Sequence, residues 1–201
     1  FLGLFVLLRN IARPINRTFS AFSFLTAIWL LTTSVTYSIG SNRKATAFFL
    51  MRLSYTAVVF MVVPYLRLSM LVVRSSRIEP WVKLSIAIAT FFVGTVWLTD
   101  WFIEDLYQYH FGFYPNVGWI HPLFLLWLGV SILLIHLVLF FGSRQKNLDP
   151  HVRNQAKYIW FAFITVTPVV VDFIPNYGVD LYPSGFIFVL GFAGVTAYAI
   201  L

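Results

Sequence analysis

Cysteine is absent from this 201-residue sequence. Its absence excludes disulfide bonds, thiolate metal sites and a cysteine nucleophile. Charged residues are also scarce, since they make up 10% of the chain, whereas hydrophobic residues make up 60%. A soluble domain has about a quarter charged residues, and it could not keep so much apolar surface from water with so few charges. The composition therefore predicts a single domain that is embedded in a lipid bilayer.

The sequence motifs of common enzyme classes are absent as well. There is no glycine-rich phosphate loop, no Gly-x-Ser-x-Gly element and no His-Glu-x-x-His pair. The sequence contains four histidines, His110, His121, His136 and His151. Their spacing indicates no metal site, for which three or four ligands must converge. The last apolar segment has no lysine for a retinal Schiff base. We therefore expect no catalytic residue, metal or cofactor.

Seven apolar segments follow one another, separated by short polar links. The runs are continuous over up to 18 residues, as in 124–141, whereas the strands of a membrane barrel alternate over about ten residues. A helix needs about 20 residues to cross a bilayer core. The sequence thus predicts an all-α integral membrane bundle, with the first and last helices truncated as in a piece of a longer protein. The predicted spans are 1–8, 19–39, 45–65, 84–98, 120–141, 158–174 and 185–201.

Lysine and arginine are distributed unevenly between the two sides of this bundle. Of the 14 basic residues, 11 fall in three alternate links, at 9–17, 66–83 and 142–157. Cytoplasmic loops carry such an excess, so we expect the amino terminus outside the cytoplasm and the carboxyl terminus inside it. The protein would then be a multi-pass protein of the inner (cytoplasmic) membrane. The same asymmetry accounts for the net charge of +7, and no nucleic-acid partner is expected.

One cation, Arg52, lies inside an apolar segment. At 1.5 Å per residue it would lie about 10 Å below the outer surface, and Asp172 in the sixth segment about 9 Å below it. Since an isolated charge in hydrocarbon is costly, we predict an Arg52–Asp172 ion pair, with Asp100 as the competing partner. This pair would anchor a ligand pocket. The predicted ligand-binding residues are Arg52, Tyr55, Trp97, Trp101, Asp172 and Tyr177.

The segment 99–118 is rich in aromatic and acidic residues. It is expected to be a loop that is long enough to fold over the pocket as a lid. Two other interpretations stay open. The aromatic residues could form the interfacial belt of a membrane protein, and Arg52 could extend to the lipid headgroups.

Several short motifs occur in an order that resembles a known family. They are 13–19 (RPINRTF), 27–30 (AIWL), 52–55 (RLSY), 153–157 (RNQAK), 172–179 (DFIPNYGV), 182–185 (YPSG) and 197–201 (AYAIL). Together they resemble the N-terminal seven-transmembrane sensor region of bacterial membrane histidine kinases. The resemblance implies that the last helix continues into the cytoplasm and joins signalling domains. These are usually a histidine kinase and sometimes a cyclic-dinucleotide synthase, and any such activity would lie beyond Leu201.

Three functions are compatible with these features. We expect a sensory receptor module of a two-component system, in which an unknown small ligand or membrane signal shifts helix packing and the last helix relays the change. The resemblance also implies a homodimer. A small transporter, or an accessory subunit bound to partner subunits in a larger membrane complex, is the alternative. In every case the lipid bilayer is a partner.

The first prediction concerns topology. A reporter that is active only in the cytoplasm should be active when it is inserted within 142–157 and inactive within 99–118, because basic links stay in the cytoplasm. Reporter activity in intact cells measures this directly. The opposite pattern would overturn both the orientation and the receptor interpretation.

Overall fold

The structure is a computed structural model, which describes residues 1–75 and 78–201. Arg77, one of the basic residues counted above, therefore lies outside the described residues. Seven α-helices are present in the described ranges: α1 (Leu2–Arg9), α2 (Pro14–Ser38), α3 (Lys44–Val72), α4 (Glu79–Leu98), α5 (His121–Arg144), α6 (Pro150–Val166) and α7 (Phe186–Ile200). Two 3-10 helices, Ser41–Arg43 and Thr167–Tyr177, precede α3 and follow α6. We call Thr167–Tyr177 the 3-10 segment.

Five helical stretches of the described chain are long and apolar enough to cross a membrane. They are Pro14–Ser38, Ser41–Val72, Glu79–Leu98, His121–Arg144 and Pro150–Tyr177. This number of apolar helices indicates a multi-pass membrane protein. α7 is apolar but has 15 residues, and α1 has eight, so each is shorter than the roughly 20 residues that a span requires.

Several helices extend beyond the apolar segments from which their positions were predicted. α4 begins at Glu79 rather than 84 and α6 at Pro150 rather than 158. Both have a proline in the first turn, where the missing N–H would have no intrahelical partner. The sixth span was predicted as an α-helix to residue 174, which is wrong beyond Val166. There the α-helix ends and the 3-10 segment begins, which contains Pro168 and Pro175. A proline supplies no N–H for the α-helical hydrogen bond.

The expectation that the fold is purely helical is wrong at one place. The predicted loop 99–118 forms an antiparallel β-hairpin of β1 (Ile103–Tyr109) and β2 (Gly112–Val117). In β1, Ile103 and Leu106 are buried while the acidic pair between them is exposed. The hairpin is rich in aromatic residues, which favour strands. Gly112 closes it with φ +124°, a conformation that suits glycine.

The hairpin lies at one end of the bundle, which we call the hairpin end, where β2 packs on α2. A Cβ on Gly112 would lie 2.7 Å from the Cα of Tyr37, so the hairpin approaches α2 as closely as a glycine allows. At the opposite end, Nη1 of Arg13 donates to the carbonyl of Ile200 at 3.1 Å. The side chain of Gln155 donates to the carbonyl of Ala199 at 2.8 Å.

An aromatic cluster joins four helices in the middle of the bundle. It consists of Phe22 from α2, Tyr65 from α3, Phe163 from α6 and Phe192 from α7. The ring centroid of Phe192 lies 5.2 Å from those of Phe22 and Tyr65 and 4.8 Å from that of Phe163. Edge-to-face contacts of this kind add to the burial of the rings. The cluster therefore fixes α7 against the other helices.

The second prediction follows from this cluster. Phe192 is completely buried, whereas Leu190 on the same helix is 59% exposed. Phe192→Ala should lower the unfolding free energy by about 3 kcal/mol, because it leaves a cavity among three rings. Leu190→Ala is the matched control and should have little effect. Thermal unfolding of both variants in dodecylmaltoside micelles measures the difference, and equal midpoints would contradict the role of the cluster.

Candidate functional site

A cavity of about 270 Å³ lies among α2, α3, α5, α6, the 3-10 segment and α7. Most of its lining is apolar, and its floor reaches Tyr65 and Phe163 of the aromatic cluster. One face of α2 contributes Trp29, Thr33 and Tyr37, which are spaced four residues apart and therefore lie on the same side of the helix. We call this space the interhelical cavity.

The polar groups of the interhelical cavity are concentrated toward the hairpin end. The hydroxyls of Thr33 and Ser54 are 3.0 Å apart and bond to one another. The hydroxyl of Tyr37 is buried and has no hydrogen-bond partner in 1–75 or 78–201. Asp172 adds a carboxylate to the same lining. The cavity is therefore amphipathic, with a polar end under the hairpin and an apolar floor.

The hairpin closes the polar end of the cavity. Tyr114 and Pro115 of β2 belong to the lining. The hydroxyl of Tyr114 donates to the backbone carbonyl of Asp172, and that of Tyr109 donates to the carbonyl of Pro175 at 2.7 Å. Burial raises the pKa of both tyrosines above the usual value, so the two hydroxyls keep the protons that they donate. Two tyrosines thus hold the hairpin on the 3-10 segment.

Asp172 connects the cavity to the start of α7. Both of its carboxylate oxygens accept from the backbone N–H of Gly185, at 3.0 and 2.9 Å. Gly185 is the N-terminal cap of α7, and a negative charge near a helix amino terminus is favourable. A Cβ on Gly185 would collide with the side chains of Asp172 and Val169. Only glycine therefore fits at this junction without a shift of its neighbours.

A second polar group of the hairpin end is a chain of three buried or half-buried side chains. The hydroxyl of Tyr55 lies 3.1 Å from Nε2 of His121, and Nδ1 of His121 lies 2.9 Å from the hydroxyl of Tyr177. His121 is fully buried. The chain joins α3, α5 and the 3-10 segment, and it begins at Tyr55, which also lines the interhelical cavity.

The predicted Arg52–Asp172 ion pair is wrong. Nη2 of Arg52 lies 3.2 Å from a carboxylate oxygen of Asp100, the competing partner, and the guanidinium also lies 4.5 Å from the ring centroid of Phe48. The predicted depth of Asp172 assumes an α-helical rise throughout the sixth segment, whereas Asp172 lies in a 3-10 helix, which rises by about 2 Å per residue. Asp100 directly follows α4, which packs beside α3.

Of the six predicted site residues, Tyr55 and Asp172 line the interhelical cavity. Tyr177 is connected to Tyr55 through His121, as described. The other three lie away from the lining. The indole of Trp97 donates to the hydroxyl of Thr56 at 2.8 Å, Trp101 is half-exposed against Trp119 at a centroid distance of 5.6 Å, and Arg52 pairs with Asp100. Trp97 and Trp101, predicted as ligand-binding residues, therefore do not line the interhelical cavity.

Sequence reasoning missed several residues of the cavity, above all those on α2. Trp29, Thr33 and Tyr37 repeat at every fourth position, and the repeat passes from apolar to polar toward the hairpin end. On α3, Ser54 and Val58 show the same four-residue spacing. This four-residue repeat could have identified these cavity residues from the sequence. Tyr114 and Tyr182 could not be predicted as cavity residues from the sequence, because their positions depend on how the hairpin and the segment before α7 fold back.

Metal binding has no candidate in the part of the chain that the structure describes. There, no group of three His, Asp or Glu side chains is placed to hold a metal ion. His110 lies with Nδ1 3.0 Å from a carboxylate oxygen of Asp180 at the exposed tip of the hairpin. This contact instead joins the hairpin to the segment that leads to α7.

Comparison of the chain with models of known protein families gives no match, and neither does comparison with curated proteins. The resemblance to sensor regions of histidine kinases therefore stays a prediction. Function is inferred from the cavity and from its connection to α7.

The third prediction concerns the junction of Asp172 and Gly185. Gly185→Ala should destabilise the protein, because the added methyl group would displace the carboxylate that caps α7. Gly191→Ala, within α7, is the matched control: a Cβ there meets nothing within 4 Å, and alanine favours the helix by roughly 0.5–1 kcal/mol. Thermal unfolding should give a lower midpoint for the first variant and an equal or higher one for the second. An unchanged unfolding midpoint for Gly185→Ala would contradict the close contact between Gly185 and the side chain of Asp172.

Proposed function

We propose that this chain is a transmembrane sensory module, in which the interhelical cavity binds a ligand and α7 relays its presence to an output domain. One observation carries the proposal. Asp172 lines the cavity and also accepts the backbone N–H of Gly185 at the start of α7. A ligand that contacts Asp172 therefore acts on the residue that holds α7 in place.

α7 is suited to transmit such a change along its length. It spans about 22 Å at 1.5 Å per residue, and it is held at three levels. Gly185 contacts Asp172 at one end, Phe192 packs in the aromatic cluster, and the carbonyls of Ala199 and Ile200 accept bonds from α6 and the start of α2. A ligand shifts such an equilibrium only by binding one arrangement more tightly than the other.

The hairpin end is assigned to the outside of the cytoplasm, and the end with Arg13 to the cytoplasm. The distribution of basic residues supports this orientation, since most of them lie in links at the Arg13 end. α1 and α7 are then the first and last of seven membrane helices. The resemblance to histidine-kinase sensor regions supports an output domain after Leu201.

The floor of the cavity favours a receptor over a transporter. Tyr65 and Phe163 form this floor, and Phe22 and Phe192 pack directly behind them without any exposed surface. The ring centroids of Phe22 and Tyr65 are 4.6 Å apart. Among the described residues, these four rings lie between the cavity and the end with Arg13, where a transporter would need a polar path and a receptor would not.

The fourth prediction tests the relay with spin labels. The chain has no cysteine, so Tyr198→Cys on α7 and Leu133→Cys on α5, both exposed, supply two defined positions. Val58→Trp fills the cavity with an indole in place of a ligand. It should shift the distance distribution between the labels, measured by pulsed electron paramagnetic resonance of the 201-residue chain in nanodiscs.

The control is Leu126→Trp, which places the same indole on the exposed face of α5 and should leave the distribution unchanged. Val58→Phe is a smaller substitution at the same position, in case the tryptophan variant is unstable. The same distance distribution in the unsubstituted protein and in both Val58 variants would overturn the proposal that the cavity is coupled to α7.

A further inference from the structure

The polar end of the interhelical cavity carries a carboxylate without a counter-ion. Within residues 1–75 and 78–201, the ion pairs use Asp100, Asp105, Glu79 and Asp180, and none uses Asp172. The hydrogen bonds to its carboxylate come from the neutral backbone N–H of Gly185. A charge in a membrane bundle is costly unless an opposite charge accompanies it. A cation in the cavity would supply that charge.

Aromatic rings surround the same end of the cavity. The ring of Tyr37 lies 6.3 Å from that of Tyr114 and 6.4 Å from that of Tyr182, measured between centroids, and all three tyrosines belong to the lining. Aromatic faces attract ammonium groups, and several rings together form the cages that bind such ligands. The unpartnered hydroxyl of Tyr37 adds a free hydrogen-bond acceptor. The chemistry of this end therefore suits an ammonium group.

The opposite end of the cavity suits a hydrocarbon chain. It is lined by apolar residues down to the aromatic floor: Met61, Val62, Leu128, Ile132, Phe163 and Val189. A single chain would pass from the polar end toward Phe163 without meeting a charge. The volume of about 270 Å³ is near the lower limit of sites that enclose a small organic molecule, and it is too small for two long acyl chains.

The cavity also reaches the side of the bundle. Ser34 of α2 and Phe186 of α7 line the cavity, and both are exposed at the surface. Ser34 lies four residues before the end of α2, which is about 6 Å along the helix. An occupant that dissolves in the membrane can therefore enter from the lipid, below the hairpin.

We propose that the interhelical cavity binds a single-chain alkylammonium compound, with the ammonium group between Asp172 and the three tyrosines and the hydrocarbon chain directed toward Phe163. The proposal rests on the proposed function, because it names the class of ligand that would act on Asp172. Binding neutralises the carboxylate and thereby changes its contact with Gly185 at the start of α7.

The fifth prediction compares three probes of equal chain length: decylamine, decanol and decanoate. The full-length protein in dodecylmaltoside micelles should bind decylamine more tightly than decanol and decanoate, as measured by tryptophan fluorescence, since Trp29 lines the cavity. Asp172→Asn keeps a carbonyl oxygen for the N–H of Gly185 but removes the charge. It should weaken decylamine binding by at least about tenfold, because a buried charge pair is lost, and leave decanol binding unchanged.

Asp100→Asn is the matched control, since Asp100 pairs with Arg52 outside the lining, and it should bind decylamine as the unsubstituted protein does. If the unsubstituted protein binds decanol or decanoate as tightly as decylamine, or more tightly, the ammonium assignment is overturned. This comparison requires no variant. Competition by phosphatidylethanolamine would overturn the single-chain assignment.

The two proposals fail separately. Decylamine that binds through Asp172 but leaves the spin-label distances unchanged would contradict the sensory function and support the ligand class. A cavity-filling substitution that shifts α7, together with no preference for decylamine, would support the function and contradict the ligand class.

Discussion

The hydrogen bond from the backbone N–H of Gly185 to the carboxylate of Asp172 is the contact on which the hairpin end depends. A backbone N–H at the start of an apolar helix needs an acceptor, and the carboxylate supplies it. The backbone carbonyl of the same residue accepts the hydroxyl of Tyr114. One residue thus connects the hairpin, the 3-10 segment and α7.

The aromatic residues of this protein perform two different tasks. At the hairpin end, the hydroxyls of Tyr109 and Tyr114 hold the hairpin on carbonyl groups. In the middle of the bundle, Phe163 and Phe192 contribute only their rings and close the floor of the cavity. The cavity is therefore polar at its hairpin end and apolar at its floor. An amphipathic molecule would fit with its polar group toward the hairpin and its apolar part toward the floor.

Two errors of the sequence-based prediction concern the local structure of one segment each. The sixth segment is a continuous α-helix in the prediction but a 3-10 helix beyond Val166, where Pro168 and Pro175 lie, so the predicted depth of Asp172 is wrong. The segment 99–118 is a loop in the prediction, although its many aromatic residues favour strands.

The sequence by itself determined that the chain is a bundle of apolar helices and where most of them lie. In lipid, backbone polar groups must bond within the protein, and an α-helix satisfies nearly all of its own, so helix formation is a local property that composition reveals. Only the tertiary structure decided that Arg52 pairs with Asp100, that Asp172 caps α7, and that Tyr37, Tyr114 and Tyr182 enclose one end of a cavity. These contacts join residues far apart in the chain, and they depend on which helices are neighbours and on how the hairpin folds back over them.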